Sequence, residues 1–222
     1  MNPQEHVSLA PLTTFHIGGP ARFFIEAHTE EDINAAFALA RLHDLPLFML
    51  GEGSNVLVPD AGIEGVVLKI AIRDIAFEND GDGTLLVAGA GALWDTAVDA
   101  AGARELFGIE NLAGIPGTIG GAVVQNIGAY GAELAEVFKY ADVIDGVTGL
   151  RRRITRNEAA FSYRASFFKE HRECVIMRIA LRLAQKAVPN ISYPALVRAP
   201  ASGESLATPA EIASSVRALR AK

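Results

Sequence analysis

The sequence predicts an α+β fold in two parts, on three observations. Short apolar runs alternate with helix-spaced apolar faces over roughly the first 70 residues, the pattern of a small α/β unit. Strand-like runs return after residue 84 and recur through residue 183. The 21 glycines in 222 residues exceed the usual share of about 7% and cluster, chiefly between Asn111 and Gly131. Clustered glycine marks backbone that approaches a ligand closely or takes a positive φ, rather than flexible linker. Half of the residues are hydrophobic and about a fifth are charged, so a substantial core can be buried in one large domain or two small ones.

Residues 23–26 read as a short strand. Thr29 caps the helix that follows, with Asp32 three positions on in capping-box relation, and Ile33, Ala36, Phe37 and Ala40 supply its apolar face. Leu47–Leu50, an apolar run ending in glycine, reads as a buried strand, and residues 66–70 as another. A polar turn is expected over residues 78–83 and a strand over 84–88. Leu93, Ala97, Val98 and Ala101 share one face, which predicts a helix over 93–103. Residues 140–144 return to strand pattern. Thr155 and Glu158 form a second capping box, expected to open a short helix ending near Phe161. Met177, Ile179, Leu181 and Leu183 alternate with Arg178, Ala180 and Arg182, the period of a half-buried strand. A Pro- and Ser-containing stretch covers 188–207. Thr208-Pro209-Ala210-Glu211 is then a helix start, with Ile212, Val216 and Leu219 on one face. No internal repeat is present.

The net charge of −6 and the lack of long basic runs argue against nucleic-acid binding. Arg151-Arg152-Arg153 cannot lie on one face and reads as a solvated turn or strand start. An anionic ligand therefore needs local positive groups or helix N-termini, because the overall field repels it. Cys174, the single cysteine, forms no internal disulfide, which fits a reducing compartment. Neither a secretory signal nor a run of about 18 apolar residues is visible. The cytoplasm is the expected location, and a monomer is the default state.

Three segments point to chemistry. Gly51-Glu52-Gly53-Ser54-Asn55 follows a predicted strand and presents small residues whose backbone N–H groups suit a pyrophosphate without a lysine. No Gly-Lys-Ser/Thr follows and the third glycine of the dinucleotide fingerprint is missing; taken alone, the segment is better read as a plain tight turn. Residues 114–121 hold Gly114, Pro116, Gly117, Thr118, Gly120 and Gly121, a composition that excludes both helix and regular strand. An ordered, tightly folded loop remains, suited to a flat, bulky cofactor or serving structure alone. Gln125-Asn126-Ile127-Gly128-Ala129-Tyr130-Gly131 joins two amides to two glycines and a tyrosine, for ligand binding or to tie the loop to itself.

Together these segments are far more specific. With Thr14-Phe15-His16-Ile17-Gly18-Gly19 before them and Phe161-Ser162-Tyr163-Arg164-Ala165-Ser166-Phe167-Phe168-Lys169 after, they resemble the FAD-binding domain of the p-cresol-methylhydroxylase/vanillyl-alcohol-oxidase type. Within it they are similar to the UDP-N-acetylenolpyruvoylglucosamine reductase family, over nearly the whole chain. The resemblance implies FAD-binding subdomains at 1–71 and 72–187, with 188–222 a substrate loop and a helix leading into a third, substrate-binding domain. It implies non-covalent FAD, NADPH as hydride donor, and reduction of the enolpyruvyl ether of a UDP-sugar to UDP-N-acetylmuramate for peptidoglycan synthesis. By motif position the FAD contacts are Gly51, Glu52, Gly53, Ser54, Asn55, Pro116, Gly117, Thr118, Gly120, Gly121, Val124, Asn126, Gly128 and Ile176.

Arg164 matches the family's catalytic arginine, whose guanidinium stays charged and grips a carboxylate with two parallel bonds; the alternative is an arginine paired with a nearby acid. Tyr163 and Tyr130 match positions near the substrate, or are core tyrosines. Tyr193 resembles a tyrosine of a substrate-closing loop, or is an incidental surface residue. His16 is expected to be structural. The family's Lys-Leu-Pro-Asp-Pro stretch, its serine proton donor and a late glutamate are not matched within the 222 residues. A missing general acid is worth roughly 10²–10⁴-fold in rate, so these residues alone are expected to bind FAD with little or no reductase activity. Another FAD-dependent oxidase of the superfamily and a non-catalytic flavin-binding remnant are the competing readings.

Overall fold

Two sheets share one apolar core in the computed structural model, which describes residues 3–197 and 205–221. The first sheet comprises β1 (Gln4–Ser8), β2 (Pro20–Ala27), β3 (Leu47–Leu50) and β4 (Ile63–Ile70), in the order β1-β2-β4-β3. β2 and β3 run parallel to β4, and β1 pairs antiparallel with β2. Helix α1 (Glu30–Leu42) connects β2 to β3 and buries Ile33, Ala36, Phe37 and Ala40. Its start is fixed locally: the Asp32 N–H donates to Thr29 Oγ1 at 3.3 Å, and the Thr29 N–H donates to the Asp32 carboxylate at 3.0 Å. β3 is not the buried strand expected. It lies at the sheet edge, where one side of the ladder has no partner, and only Leu50 is buried.

The second sheet follows β5 (Ile75–Asp80), β6 (Gly83–Gly89), β9 (Phe138–Asp145), β10 (Arg151–Thr155) and β11 (Cys174–Ala184), all antiparallel in the order β10-β9-β11-β6-β5. Between β6 and β9 come α2 (Trp94–Gly102), a 3-10 turn at Glu110–Leu112, α3 (Ile119–Val124), the small pair β7 (Gly128–Ala129) and β8 (Ala132–Glu133), and α4 (Leu134–Val137). A short α5 (Phe167–Glu170) precedes β11, and α6 (Pro194–Val197) and α7 (Pro209–Arg220) follow it. β11 is central, so Met177, Ile179, Leu181 and Leu183 are buried and Ala180 is buried on the other face as well. Arg178 and Arg182 reach out to Asp74 and Asp80.

Three local expectations change. Of the polar stretch expected as a turn over 78–83, residues 78–80 end the edge strand β5 and Gly83 begins β6; only residues 81–82 turn. Glu158 does accept from the Thr155 N–H at 2.9 Å, yet no helix follows, because Ala160 takes φ +43 and the chain turns back to pair Ser162 with Ala165. The glycine-rich stretch expected to exclude helix holds the first residues of α3, capped by Thr118 Oγ1 accepting from the Gly121 N–H at 3.2 Å. Glycine in a helix costs about 1 kcal/mol. Here it allows close approach: a Cβ on Gly120 would meet Ala90 atoms at 3.0 Å.

The three consecutive arginines lie exposed on β10, Arg151 paired with Glu30, Arg152 with Glu158 and Arg153 with Asp142. α7 begins with the second working capping box, Thr208 with Glu211, and buries Ile212 and Val216 against α2 and the 3-10 turn. Part of the Pro- and Ser-containing stretch, residues 198–204, lies outside the described residues. Among the described residues, no helix is long and apolar enough to cross a membrane.

Candidate functional site

The loop that follows β3 meets the loop that precedes α3. After β3 the chain enters residues 51–58. Gly53 is buried at φ +65, and a Cβ there would stand 2.1 Å from the Leu12 carbonyl oxygen. Its own carbonyl accepts from the Thr14 N–H at 3.2 Å, which clamps the loop against residues 12–14. Opposite lies the stretch from Gly114 to Thr118. The Gly117 carbonyl accepts from the Trp94 N–H at 3.0 Å, and the Gly114 N–H donates to Asp95 Oδ1 at 2.7 Å. At each contact a glycine of one loop faces a side-chain hydroxyl of the other. A Cβ on Gly51 would stand 2.9 Å from Thr118 Oγ1, and one on Gly117 would stand 2.8 Å from Ser54 Oγ. Ser54 Oγ donates to the Pro116 carbonyl at 3.4 Å.

The backbone donors of these loops are the notable feature. None of the N–H groups of residues 52–55, 117 and 118 has a protein acceptor among the described residues. Gly53 and Thr118 are buried residues, and folded proteins seldom leave such groups unpaired. Neighbouring N–H groups without acceptors form an anion-binding nest. This fits a diphosphate held without a lysine. Glu52 does not oppose it, because its carboxylate turns to Arg73 at 3.5 Å and Lys69 at 3.9 Å. Phe15, Ile17, Val56, Leu57 and Leu93, on the bordering segments, are exposed apolar side chains that suit a flat ring.

From Thr118, α3 leads away for six residues, about 9 Å at 1.5 Å per residue. At its far end the Val124 carbonyl accepts from Ser166 Oγ at 2.8 Å. Asn126 is 2% exposed and lies at φ +41. Its amide donates to the Ser162 carbonyl at 3.0 Å and Glu133 Oε2 at 3.3 Å, and accepts from the Ala135 N–H at 3.0 Å. The side chain is therefore committed to the fold. Ser162 and Ala165 exchange two backbone bonds of 3.1 Å, leaving Tyr163 and Arg164 at the tip of a two-residue turn. Arg164, at φ +55, donates to the Gly128 carbonyl at 2.7 Å. No carboxylate lies within ion-pair distance of its guanidinium among the described residues, so the alternative of a structural ion pair has no partner.

Tyr163 is 83% exposed, which rules out a core tyrosine, and its ring centroid lies 5.7 Å from the guanidinium. Tyr130 and Tyr193 meet edge to face at 5.1 Å. Asn111 holds this contact in place, donating to the carbonyls of Tyr130 at 2.8 Å and Asn190 at 2.7 Å. Gly128, Tyr130, Tyr163, Arg164 and Tyr193 thus gather around the β7–β8 turn. Pro116 and Gly121 are exposed and Val124 is half-buried, whereas Gly120 and Ile176 are buried. Asn55 is exposed at the end of the donor loop.

Asp95 and Arg217 escaped sequence reasoning. Burial works against ionisation of Asp95, but hydrogen bonds from Arg217 and the Gly114 N–H, and the charges of Arg217 and Arg220, hold its carboxyl below the usual range. Their 122-residue separation leaves no local pattern to read. Clefts of about 510 and 450 Å³ elsewhere on the surface contain none of the expected site residues. The first is mostly apolar and the second is lined by arginines that already have acidic partners, so neither matches the donor pattern above.

The FAD binding domain family matches residues 21–155. The UDP-N-acetylenolpyruvoylglucosamine reductase of Pseudomonas fluorescens is 37% identical over 222 residues, 99% of this chain and 65% of the relative. That of Pseudomonas aeruginosa is 40% identical over 208 residues, 93% of this chain and 61% of the relative. The chain therefore spans a little under two thirds of these curated relatives. The crystal structure of UDP-N-acetylenolpyruvylglucosamine reductase from Thermus caldophilus is similar with a TM-score of 0.70 at 29% identity, over 100% of this chain and 71% of that one. A VAO-type flavoprotein from Myceliophthora thermophila, 17% identical, shares the fold alone, with a TM-score of 0.57 over 75% of this chain and 32% of that one. These likenesses bear out the α+β fold expected from the sequence, and the chain belongs to the FAD binding domain family, within which it is similar to the UDP-N-acetylenolpyruvoylglucosamine reductases.

Proposed function

We propose that the chain holds FAD across the two glycine loops and supplies the flavin site and substrate-gripping arginine of a UDP-N-acetylenolpyruvoylglucosamine reductase. One observation carries this reading: the N–H groups of residues 52–55, 117 and 118, without acceptors among the described residues, lie on adjoining loops, each of which sets a glycine against a side-chain hydroxyl of the other. In a protein of net charge −6, fixed backbone dipoles are the means of holding a diphosphate against the overall field. The assignment takes Gly51, Glu52, Gly53, Ser54, Asn55, Pro116, Gly117, Thr118, Gly120 and Gly121 as the diphosphate cradle. Val124, Asn126, Gly128 and Ile176 are the flavin-side set, acting through backbone or packing where their side chains are committed or buried. On this reading residues 1–71 and 72–187 are the two subdomains, each contributing one loop.

Bound FAD supplies hydride transfer from NADPH to the enolpyruvyl double bond of the UDP-sugar. The protein's part is placement and charge. Arg164 grips the substrate carboxylate through its fork and stabilises negative charge developing beside it. The Gly128 carbonyl fixes the guanidinium's orientation. Tyr163, Tyr130 and Tyr193 border the substrate and limit water. Peptidoglycan precursor synthesis in the cytoplasm is the setting this reading implies.

The test is titration of the purified chain with FAD, followed by flavin absorbance, then addition of NADPH and the enolpyruvyl sugar. Saturable FAD binding and bleaching by NADPH are expected. Folded protein that takes up no FAD contradicts the proposal.

A further inference from the structure

We propose that Arg217, acting through Asp95, is a positioning residue for the cofactor loop, an inference that rests on reading residues 51–55 and 114–118 as the FAD cradle. Asp95 stands in the first turn of α2 and joins three elements. Its Oδ1 accepts from the Gly114 N–H at 2.7 Å and from Arg217 Nη2 at 2.9 Å, while Oδ2 accepts from Arg217 Nε at 2.9 Å. Arg217 Nη2 also donates to Asp99 at 2.6 Å. A bidentate guanidinium fixes both the position and the plane of a carboxylate, and here that plane aims one oxygen at the start of the glycine loop.

The loop has little else to hold it. Ile115 donates to no protein acceptor among the described residues, and Pro116 has no N–H to give. Apart from the 3.4 Å bond of Ser54 Oγ to the Pro116 carbonyl, its anchors are consecutive residues of α2: Trp94 at the Gly117 carbonyl and Asp95 at the Gly114 N–H. The Trp94 anchor is rigid, since the indole is fully buried and donates to the Leu112 carbonyl at 2.8 Å. The Asp95 anchor is a side chain, and its direction is set by α7. Arg217 and Arg220 also cover Gly114, whose Cβ would stand 3.3 Å from Arg217 Cγ and 3.1 Å from Arg220 Cδ. The terminal helix thereby fixes the loop that presents the Gly117 and Thr118 donors. An ion pair serving only to dock α7 would need no bond to Gly114.

The test uses the full 222-residue chain and FAD, with affinity measured well below every variant's melting temperature. Arg217→Ala is expected to bind FAD about tenfold more weakly or worse, the scale of losing a charge-assisted hydrogen bond's alignment. The exchange Asp95→Arg with Arg217→Asp separates positioning from docking. It rebuilds the α2–α7 ion pair and returns the melting temperature toward the parent value, but gives the Gly114 N–H no acceptor, so FAD affinity stays low. Asp95→Asn, which keeps an acceptor for Gly114 and loses the charge, is expected to fall between parent and Arg217→Ala. The inference is overturned if Arg217→Ala binds FAD as tightly as the parent, or if the charge exchange restores affinity together with melting temperature. A parent chain that binds no FAD instead overturns the reading on which the inference rests.

Discussion

Two glycine-rich regions sit within one helix length of each other and use their polar groups in opposite ways. In residues 52–55, 117 and 118 the backbone donors have no acceptor among the described residues, although the loops are held from outside by Thr14, Trp94 and Asp95. In residues 125–135 the polar groups face inward, with the Asn126 amide making three bonds to its own surroundings. The first arrangement costs stability until an anion arrives. The second supports a neighbour, the turn that carries Tyr163 and Arg164. Both regions hold glycines; the destination of the hydrogen bonds is what differs.

The largest break in this contrast comes from Gly53→Ala. A left-handed φ and a contact at 2.1 Å with the Leu12 carbonyl both oppose the methyl, so the chain should lose at least about 2–3 kcal/mol of stability and all FAD binding. A melting temperature unchanged from the parent would show that the donor loop is not clamped as described. Asn126→Ala should cost about 2–3 kcal/mol, because buried partners lose their bonds, and this should appear in chemical denaturation of the FAD-free chain. Its FAD affinity, measured where the variant is folded, should change less than that of a donor-loop variant.

Gly51→Val inverts the pattern. Its backbone conformation accepts a side chain, but the new atoms press on Thr118 Oγ1. FAD affinity should drop about tenfold, close to 1.4 kcal/mol, with a smaller loss of stability. Equal losses in both quantities would blur the distinction between the regions. The smallest effect is acidic. The Asp95 carboxyl lies below its ordinary value of 3.8 when folded. Its contribution is therefore complete above the unfolded value and lost as pH falls through the folded one. Asp32, where burial is outweighed by hydrogen bonds from His28 and Thr29, and Glu211, lowered by bonds from Thr208 and Ser205, act in the same acidic direction. Asp95→Asn should accordingly show a shallower fall in stability below about pH 4 than the parent.

Local chemistry explains which features the sequence made legible. The boxes at Thr29 and Thr208 satisfy donors within one turn, and both helices start where the letters place them. Thr155 and Glu158 make only half of such a box: the Glu158 carboxylate accepts from the Thr155 N–H and hydroxyl, and no helix follows, because the next residues must return to close the Arg164 turn. The start of α3 was hidden because Gly120 answers to Ala90, a contact distant in sequence. The edge position of β3 depends on strand order, which no local pattern encodes. The motifs around Gly51, Gly117 and Arg164 are local in sequence and could be read from it directly. They did not reveal that Asn126 is turned inward, or that Asp95 and Arg217 hold the loop from behind.

Amide hydrogen exchange with and without FAD tests the central claim most directly. On saturation with FAD, exchange at residues 52–55, 117 and 118 should slow markedly, while the Ala135 amide, already bonded to Asn126, should stay as it was. FAD that binds tightly and leaves those loop amides exchanging at their original rates would contradict the account.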